Sequence, residues 1–109
     1  MKKEILYYKT ALGQVPFLKW FNKINDLKLK SILLTNLDRL SLNKAQDIKP
    51  LKDGLFELRI HFRAGYRIYF TENKNKQVIL LLLGGSKRSQ EHDIKRARKY
   101  LVQLIKREK

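Results

Sequence analysis

Five side chains in the second half of the chain have the types and spacing that handling a phosphate group requires. They are Arg59, Arg67, Lys87, Arg88 and His92. RNA can be cut without a metal ion when its own 2′-OH attacks the adjacent phosphorus, and a protein must then stabilise the charge on the phosphoryl oxygens and move protons. Arginine and lysine suit the first task, and a histidine or tyrosine suits the second. By themselves these residues indicate nucleic-acid binding and leave catalysis open, because cations on strands and turns are commonly only solvated.

Two alternating segments place the arginines on neighbouring strands. Apolar and polar residues alternate over residues 56–62 and again over 66–71, which predicts a hairpin with one buried and one open face. A loop of residues 63–65 makes the numbers of opposed residues sum to 128. That register pairs Ile60 with Ile68 on the buried face, and Arg59 with Tyr69 and His61 with Arg67 on the open face.

The cations that follow the hairpin lie at a junction between a strand and a helix. Residues 78–83 are all apolar and predict a buried strand, which Gly84 and Gly85 should end. Ser89 can then cap a last helix with a buried stripe of Ile94, Ala97 and Leu101. Backbone N–H groups at the start of a helix favour an anion such as phosphate. Lys87 and Arg88 are therefore expected beside a phosphate.

The first half of the chain predicts a strand followed by two helices. Residues 4–9 are β-prone, and Pro16 is tolerated in the first turn of a helix. Asp26 can cap a second helix, whose apolar stripe is Leu29, Leu33, Leu37 and Leu40. The predicted order is β-α-α-β-β-β-α, an α+β fold in which an antiparallel sheet packs against an αα-hairpin and a C-terminal helix. We interpret residues 1–109 as a single domain.

The charge of the chain predicts a polyanionic partner. There are 25 Lys and Arg residues against 10 Asp and Glu, a net charge of +15 over 109 residues. Residues 1–45 carry nine basic side chains and residues 46–109 carry sixteen, so the basic character belongs to the whole domain. Such an excess attracts nucleic acid first and anionic surfaces second.

Composition excludes other classes of function. Cysteine is absent, which rules out disulfides, thiolate catalysis and cysteine-ligated zinc. The two histidines stand far apart and the carboxylates do not cluster, so we expect neither a metal nor another cofactor. The longest apolar run, residues 78–83, is too short to span a membrane, and the N-terminus lacks an apolar signal region. We expect a cytoplasmic protein without a membrane partner.

Four segments resemble a known family. The stretches DGLFELRI (53–60), GYRIYF (65–70), LLLLGGSKRSQ (80–90) and DIKRA (93–97) resemble the RelE/HigB superfamily of toxins, in its addiction-module killer-protein branch. The resemblance spans nearly the whole chain, including the order of elements. It implies a RelE-like fold and a metal-independent endoribonuclease that cuts messenger RNA in the ribosomal A site. It also implies a cognate antitoxin, with a helix-turn-helix DNA-binding domain, as partner.

The resemblance assigns roles by position. Arg67 of the GYR motif matches the family's catalytic strand arginine, and Arg59 matches a basic residue on the preceding strand. Lys87 matches a basic residue after the last strand, and His92 or Asp93 falls near a catalytic tyrosine or histidine of relatives. We take Arg59, Arg67, Lys87 and His92 as catalytic. The predicted RNA-binding residues are Lys49, Lys52, Arg63, Tyr69 and Arg88. Tyr69, beside Arg59 in the predicted register, is expected to stack on a base.

An alternative of another class keeps the fold and loses the reaction. Glu57 stands where some ribosome-dependent members have lysine, and residues 86–96 lack the tyrosine typical of RelE itself. Both features favour a non-cleaving binding module, either a ParE-like gyrase inhibitor or an inactive RNA-binding relic of a toxin.

Overall fold

The computed structural model of the protein describes residues 2–108, and over this range it has five strands and three α-helices. The strands are β1 (Glu4–Tyr7), β2 (Ile48–Pro50), β3 (Phe56–Ile60), β4 (Tyr66–Asn73) and β5 (Val78–Ser86). The helices are α1 (Pro16–Asn22), α2 (Leu27–Ser41) and α3 (Gln90–Glu108), with a short 3₁₀ turn, Lys87–Ser89, before α3. The predicted α+β fold is confirmed.

The sheet has one more strand than the sequence predicts. The strand order is β1-β5-β4-β3-β2, antiparallel throughout except that β1 pairs parallel with β5. The additional strand β2 has only three residues, all exposed, and is too short for its pattern to predict a strand. Its last residue is Pro50, and proline is tolerated there because an edge strand does not need every backbone donor.

The αα-hairpin covers one face of the sheet, as predicted. The side chain of Asp26 caps α2 by accepting from the backbone N–H groups of Lys28 at 3.0 Å and Leu29 at 3.1 Å. The leucine stripe of α2 is buried, and it packs on β3, β4 and β5 together with Phe17 of α1. The buried residues of this first core are Phe17, Leu29, Leu33, Leu37, Leu40, Leu58, Ile60, Ile68, Phe70, Ile79 and Leu81.

Helix α3 covers the opposite face, which the hairpin pattern alone had indicated to be open. Ala97 and Leu101 of α3 are buried against Tyr69 of β4 and Leu83 of β5. The expectation of one solvated face is therefore wrong. A period-2 pattern separates the two faces of a strand, but the helix that packs on a face decides whether water reaches it.

The register of the β3–β4 hairpin also differs from the prediction. Arg59 lies opposite Arg67 and Glu57 lies opposite Tyr69, so the numbers of opposed residues sum to 126. The loop is longer than expected, spanning 61–65, and its Gly65 has a φ of 92°. Each strand keeps its assigned faces, because the change preserves the parity of the pairing.

Strand β5 runs through the two glycines that were expected to end it, and reaches Ser86. A Cβ atom on Gly84 would lie 2.2 Å from the Trp20 ring, and one on Gly85 would lie 2.0 Å from the Asp93 carboxylate. Both distances are too short for a real contact. The glycines thus allow close approach of α1 and α3 to the strand.

Between residues 2 and 108, none of the helices combines the length and the hydropathy that a bilayer span requires.

Candidate active site

A cavity of about 250 Å³ opens where the β3–β4 loop meets the end of β5. We call it the basic cleft, because four cationic side chains contribute to its walls. Its lining residues are Arg59, Ile60, His61, Arg63, Ala64, Gly65, Tyr66, Arg67 and Lys87. Three of the four residues that the resemblance assigns to catalysis therefore meet in one cavity.

Backbone pairing explains this convergence. Arg59 and Arg67 lie directly opposite each other on β3 and β4, so their side chains leave the same face of the sheet. The backbone N–H of Lys87 donates to the carbonyl oxygen of Gly65 at 3.0 Å, which ties the start of the 3₁₀ turn to the hairpin loop. Gly65 has a φ of 92°, a backbone conformation that residues with a Cβ rarely adopt, so glycine suits this turn.

A buried carboxylate orients the two arginines. The side chain of Glu57 is fully buried, and its Oε1 accepts a hydrogen bond from Arg59 Nε at 3.0 Å. Its Oε2 accepts from Gln90 Nε2 at 2.9 Å, which links the site to the first residue of α3. A charge removed from water in this way requires partners, and here the partners are the cleft arginine and the helix.

Arg67 is held by the same carboxylate but keeps unused donors. Its Nη1 lies 3.5 Å from Glu57 Oε1, close enough for charge attraction but without hydrogen-bond geometry. The side chain is about nine-tenths buried, and its Nε and Nη1 atoms have no hydrogen-bond partner among the described residues. Buried donors without partners cost on the order of 1–3 kcal/mol each. An acceptor entering the cleft would relieve that cost.

Tyr69 lies beneath the cleft and cannot act as predicted. It is fully buried, so its ring is not available to stack on an RNA base. Burial raises the pKa of its hydroxyl well above the usual range, and the nearby carboxylates of Glu57 and Asp93 raise it further. The phenol is therefore neutral, and its ring is part of the second core.

Of the remaining predicted residues, only Arg63 lines the cleft. Arg63 is at its rim and forms an ion pair with Asp26, the capping residue of α2. The other four are exposed and do not line the cleft; they are Lys49, Lys52, Arg88 and His92. Lys49 lies opposite Glu57 on the edge strand β2. His92 is in the first turn of α3.

His61 is the histidine that does line the cleft. Its Nε2 contacts a carboxylate oxygen of Asp47, and this hydrogen bond holds the pKa of Asp47 below its ordinary value. The sequence pattern indicated His61 only as a neighbour of Arg67 across the hairpin. With the longer loop, His61 instead belongs to the turn at the mouth of the cleft.

Two residues of the site were not singled out by their sequence pattern. Glu57 was noted only as a departure from a family position, although its alternation with Arg59 already placed both on one face. Tyr66 lines the cleft, while its alternation indicated a core residue. An acidic residue two positions before Arg59 on the same strand face is the signal that identifies Glu57.

Within residues 2–108, no group of three or more His, Asp or Glu side chains is arranged to hold a metal ion.

Comparison with known proteins finds one matching family and a similar protein. Residues 19–104 match the model of a family described as "Phage derived protein Gp49-like (DUF891)". An uncharacterised protein of Haemophilus influenzae is 40% identical over 82 residues, which are 75% of this chain and 82% of that protein. The family match runs from α1 into α3 and includes every residue that lines the basic cleft.

Proposed function

The chain belongs to the phage-derived Gp49-like family, which is associated with toxin–antitoxin pairs, and from this premise we propose that it is the toxin of such a pair. We propose further that it is a ribosome-dependent, metal-independent endoribonuclease that cuts messenger RNA in the ribosomal A site. The observation that carries this proposal is the meeting of Arg59, Arg67 and Lys87 in one cleft, above a carboxylate that orients the arginines.

The proposed reaction uses a nucleophile of the RNA itself. The 2′-oxygen attacks the adjacent phosphorus, the bond from phosphorus to the 5′-oxygen breaks, and the products are a 2′,3′-cyclic phosphate and a 5′-hydroxyl. Negative charge grows on the two non-bridging oxygens in the transition state. Arg67 would donate hydrogen bonds to these oxygens, supported by Arg59 and Lys87. Preorganised donors of this kind contribute most when they are already oriented and partly desolvated, which is the situation of Arg67.

Two protons must also move, one from the 2′-OH and one to the 5′-oxygen. His92, assigned by resemblance, stays a prediction, since it is exposed on α3 and RNA or the ribosome would have to bring the phosphate to it. His61 has the more direct claim because it lines the cleft and Asp47 orients its ring. Its Nδ1 remains available to exchange a proton when Nε2 is engaged with the carboxylate.

Exposed cations outside the cleft suit contacts with ribosomal RNA. Lys49, Lys52 and Arg88 project from three different segments, and the net charge of +15 supports long-range attraction to a polyanion. Binding through such contacts should weaken steeply as salt concentration rises. We propose that this surface charge, which favours binding to RNA, is the reason that the chain needs a folded antitoxin partner to neutralise it.

Controlled expression with mapping of messenger-RNA 5′ ends tests the nuclease proposal. Wild type should arrest growth and create new 5′ ends within coding regions, at positions set by the A-site codon. Arg67→Ala should create none, while Lys99→Ala, which removes an exposed cation of α3 outside the cleft, should match wild type. Growth arrest without new 5′ ends would overturn the nuclease proposal in favour of a non-cleaving module, such as a gyrase inhibitor or an RNA-binding relic.

Co-expression tests the partner. We expect the product of a small neighbouring reading frame, a helix-turn-helix protein, to restore growth and to co-purify with the chain. Full toxicity in its presence would contradict the proposed pairing.

A further inference from the structure

A second cavity lies on the other side of the segment 86–89. It has a volume of about 410 Å³ and is enclosed by α1 and α3 over the end of β5. This volume is in the range of ordinary ligand sites, roughly 300–1,000 Å³. We call this space the aromatic cavity. Its charged and aromatic lining residues are Lys19, Trp20, Lys23, Asp93, Arg96 and Tyr100.

Cations and aromatic rings are combined in this cavity. Lys19, Lys23 and Arg96 are exposed at its edge, while the rings of Trp20 and Tyr100 are half-buried. The Arg96 guanidinium lies 5.9 Å from the centre of the Tyr100 ring and donates a hydrogen bond to its hydroxyl at 3.0 Å. Backbone-tracking cations beside aromatic faces are the usual means by which proteins hold single-stranded nucleic acid.

A buried carboxylate adds an acceptor among these cations. Asp93 is 5% exposed, and its Oδ2 accepts a hydrogen bond from the Ser89 hydroxyl at 2.5 Å. Asp93 lines the cavity, so its carboxylate is an acceptor on the cavity wall. A carboxylate repels a phosphate but accepts N–H donors from the edge of a base. Guanine presents two such donors side by side, its N1–H and its 2-amino group.

The aromatic cavity and the basic cleft are lined by neighbouring residues of the segment 86–89. Ser86 and Ser89 line the aromatic cavity, and Lys87, which lies between them, lines the cleft. Gly85 lines the aromatic cavity and lies opposite Arg67 across β4 and β5. An RNA strand that crosses the segment 86–89 would contact both sites.

We propose that the aromatic cavity is a base-reading subsite for a nucleotide that flanks the one cut in the basic cleft. The preferred base is guanine, which lies against the Trp20 ring and donates hydrogen bonds to Asp93. The adjoining phosphates contact Lys19, Lys23 and Arg96. The inference rests on the proposed function for its ligand class, RNA. It adds a sequence preference that the cleft cations cannot supply, because phosphate contacts carry no base information.

Binding of an RNA that cannot be cut tests the subsite separately from the reaction. The probe is a fluorescent 2′-O-methyl RNA octamer containing one guanosine, followed by anisotropy. The triple variant Lys19→Ala/Lys23→Ala/Arg96→Ala should lose tenfold or more in affinity, and the slope of log affinity against log salt should fall by about 2. The matched control is Lys95→Ala/Lys99→Ala/Lys106→Ala, which removes the same charge from exposed positions of α3 outside both cavities. It should lose less than about threefold.

Replacing the guanosine by inosine tests base reading, because this removes only the 2-amino group. Wild type should bind the inosine octamer about fivefold more weakly, and Asp93→Leu, which has a similar shape but no hydrogen-bond acceptor, should bind both octamers alike. Trp20→Phe should retain most of the affinity that Trp20→Leu loses. Melting temperatures of these variants identify any loss that comes from unfolding. The variant Lys19→Ala/Lys23→Ala/Arg96→Ala changes only exposed side chains, so its loss of affinity should not come from unfolding.

The results separate the two proposals. Equal losses in the triple variant and its control, or no octamer binding by wild type, overturn the subsite even if messenger RNA is cut. Guanosine-dependent binding that the triple variant loses supports the subsite even if no cutting is ever observed.

Discussion

Both faces of the central sheet are buried, but the residues buried on them differ in type. The face beneath α1 and α2 is covered by a core whose buried members are all apolar. The face beneath α3 buries apolar residues together with Glu57, Arg67 and Asp93. The first face carries none of the charged side chains of the basic cleft. The second face carries Glu57, the carboxylate that orients the cleft arginines.

This difference indicates how stability and function are divided. Apolar packing stabilises the fold without precise demands on direction, whereas buried charges must be paired and oriented to be tolerated at all. The unused donors of Arg67 show that its pairing in the free protein is incomplete. Local departures from full satisfaction are expected where a protein binds something. Substitutions on the two faces should therefore have different consequences.

The largest effect on stability is expected from Leu33→Ala on the apolar face. Leu33 is completely buried, so truncation should lower the free energy of unfolding by about 2–5 kcal/mol. Well below the melting temperature, cleavage on programmed ribosomes should remain close to wild type. Leu34→Ala is the control, since Leu34 is 54% exposed and should change stability by at most about 0.5 kcal/mol. Chemical denaturation measures both, and similar losses would contradict the assigned core.

The largest effect on activity is expected from Arg67→Ala on the other face. Removing its donors from the phosphoryl oxygens should cost about 3 kcal/mol of transition-state stabilisation, on the order of a hundredfold in rate. The melting temperature should also fall, because Glu57 loses a buried counter-charge. Single-turnover cleavage and thermal melting separate the two losses. Arg67→Lys keeps a charge but not the planar donors, and should stay impaired; unchanged cleavage by either variant would refute the site.

A smaller, about tenfold, loss is expected from Glu57→Gln. The amide keeps the shape of the side chain and can still bond Arg59 and Gln90, but it no longer holds the arginines by charge. We expect the maximal rate to fall while RNA binds as tightly or more tightly, because the cleft becomes more positive. Kinetics that resolve kcat from KM check this. A rise in KM at unchanged kcat would show that Glu57 does not orient the arginines.

Lys87→Ala should reduce cleavage about fivefold without changing stability. Its side chain is exposed, and its tie to the hairpin loop is made by the backbone, which the substitution keeps. The salt dependence of cleavage should become shallower, because one phosphate contact is lost. Cleavage rates across a salt series measure this change, with Lys99→Ala as the matched exposed lysine. A marked drop in melting temperature would instead give Lys87 a structural role.

The smallest effect is expected from His92→Gln, at less than about threefold in cleavage, since the ring lies outside the cleft. His61→Gln is the comparison and should lose more, because His61 lines the cleft. A loss of roughly a hundredfold in His92→Gln would restore it as the general acid or base. Glutamine retains hydrogen bonding without titrating, so pH–rate profiles of both variants distinguish proton transfer from simple contact.

The sequence by itself determined the elements and the composition of their faces. The leucine spacing of α2, its Asp26 cap and the alternation of β3 and β4 each follow from residue types at fixed intervals. The helix, its cap and the two strands are confirmed, whereas the solvated face is not. The same alternation placed Arg59 and Arg67 on one face. Such periodic patterns depend only on local backbone geometry, so they can be recognised without knowing what packs against them.

Tertiary structure decided the register, the covering of the second face and the state of its charges. A pattern of period 2 is unchanged when the pairing of two strands shifts by two residues, so only the five-residue loop selects the pairing of Arg59 with Arg67. Burial of Glu57 and Tyr69 depends on α3, which is distant along the chain and whose approach Gly85 permits. Charges and donors gain or lose partners through such long-range contacts, and for that reason no local pattern could predict them.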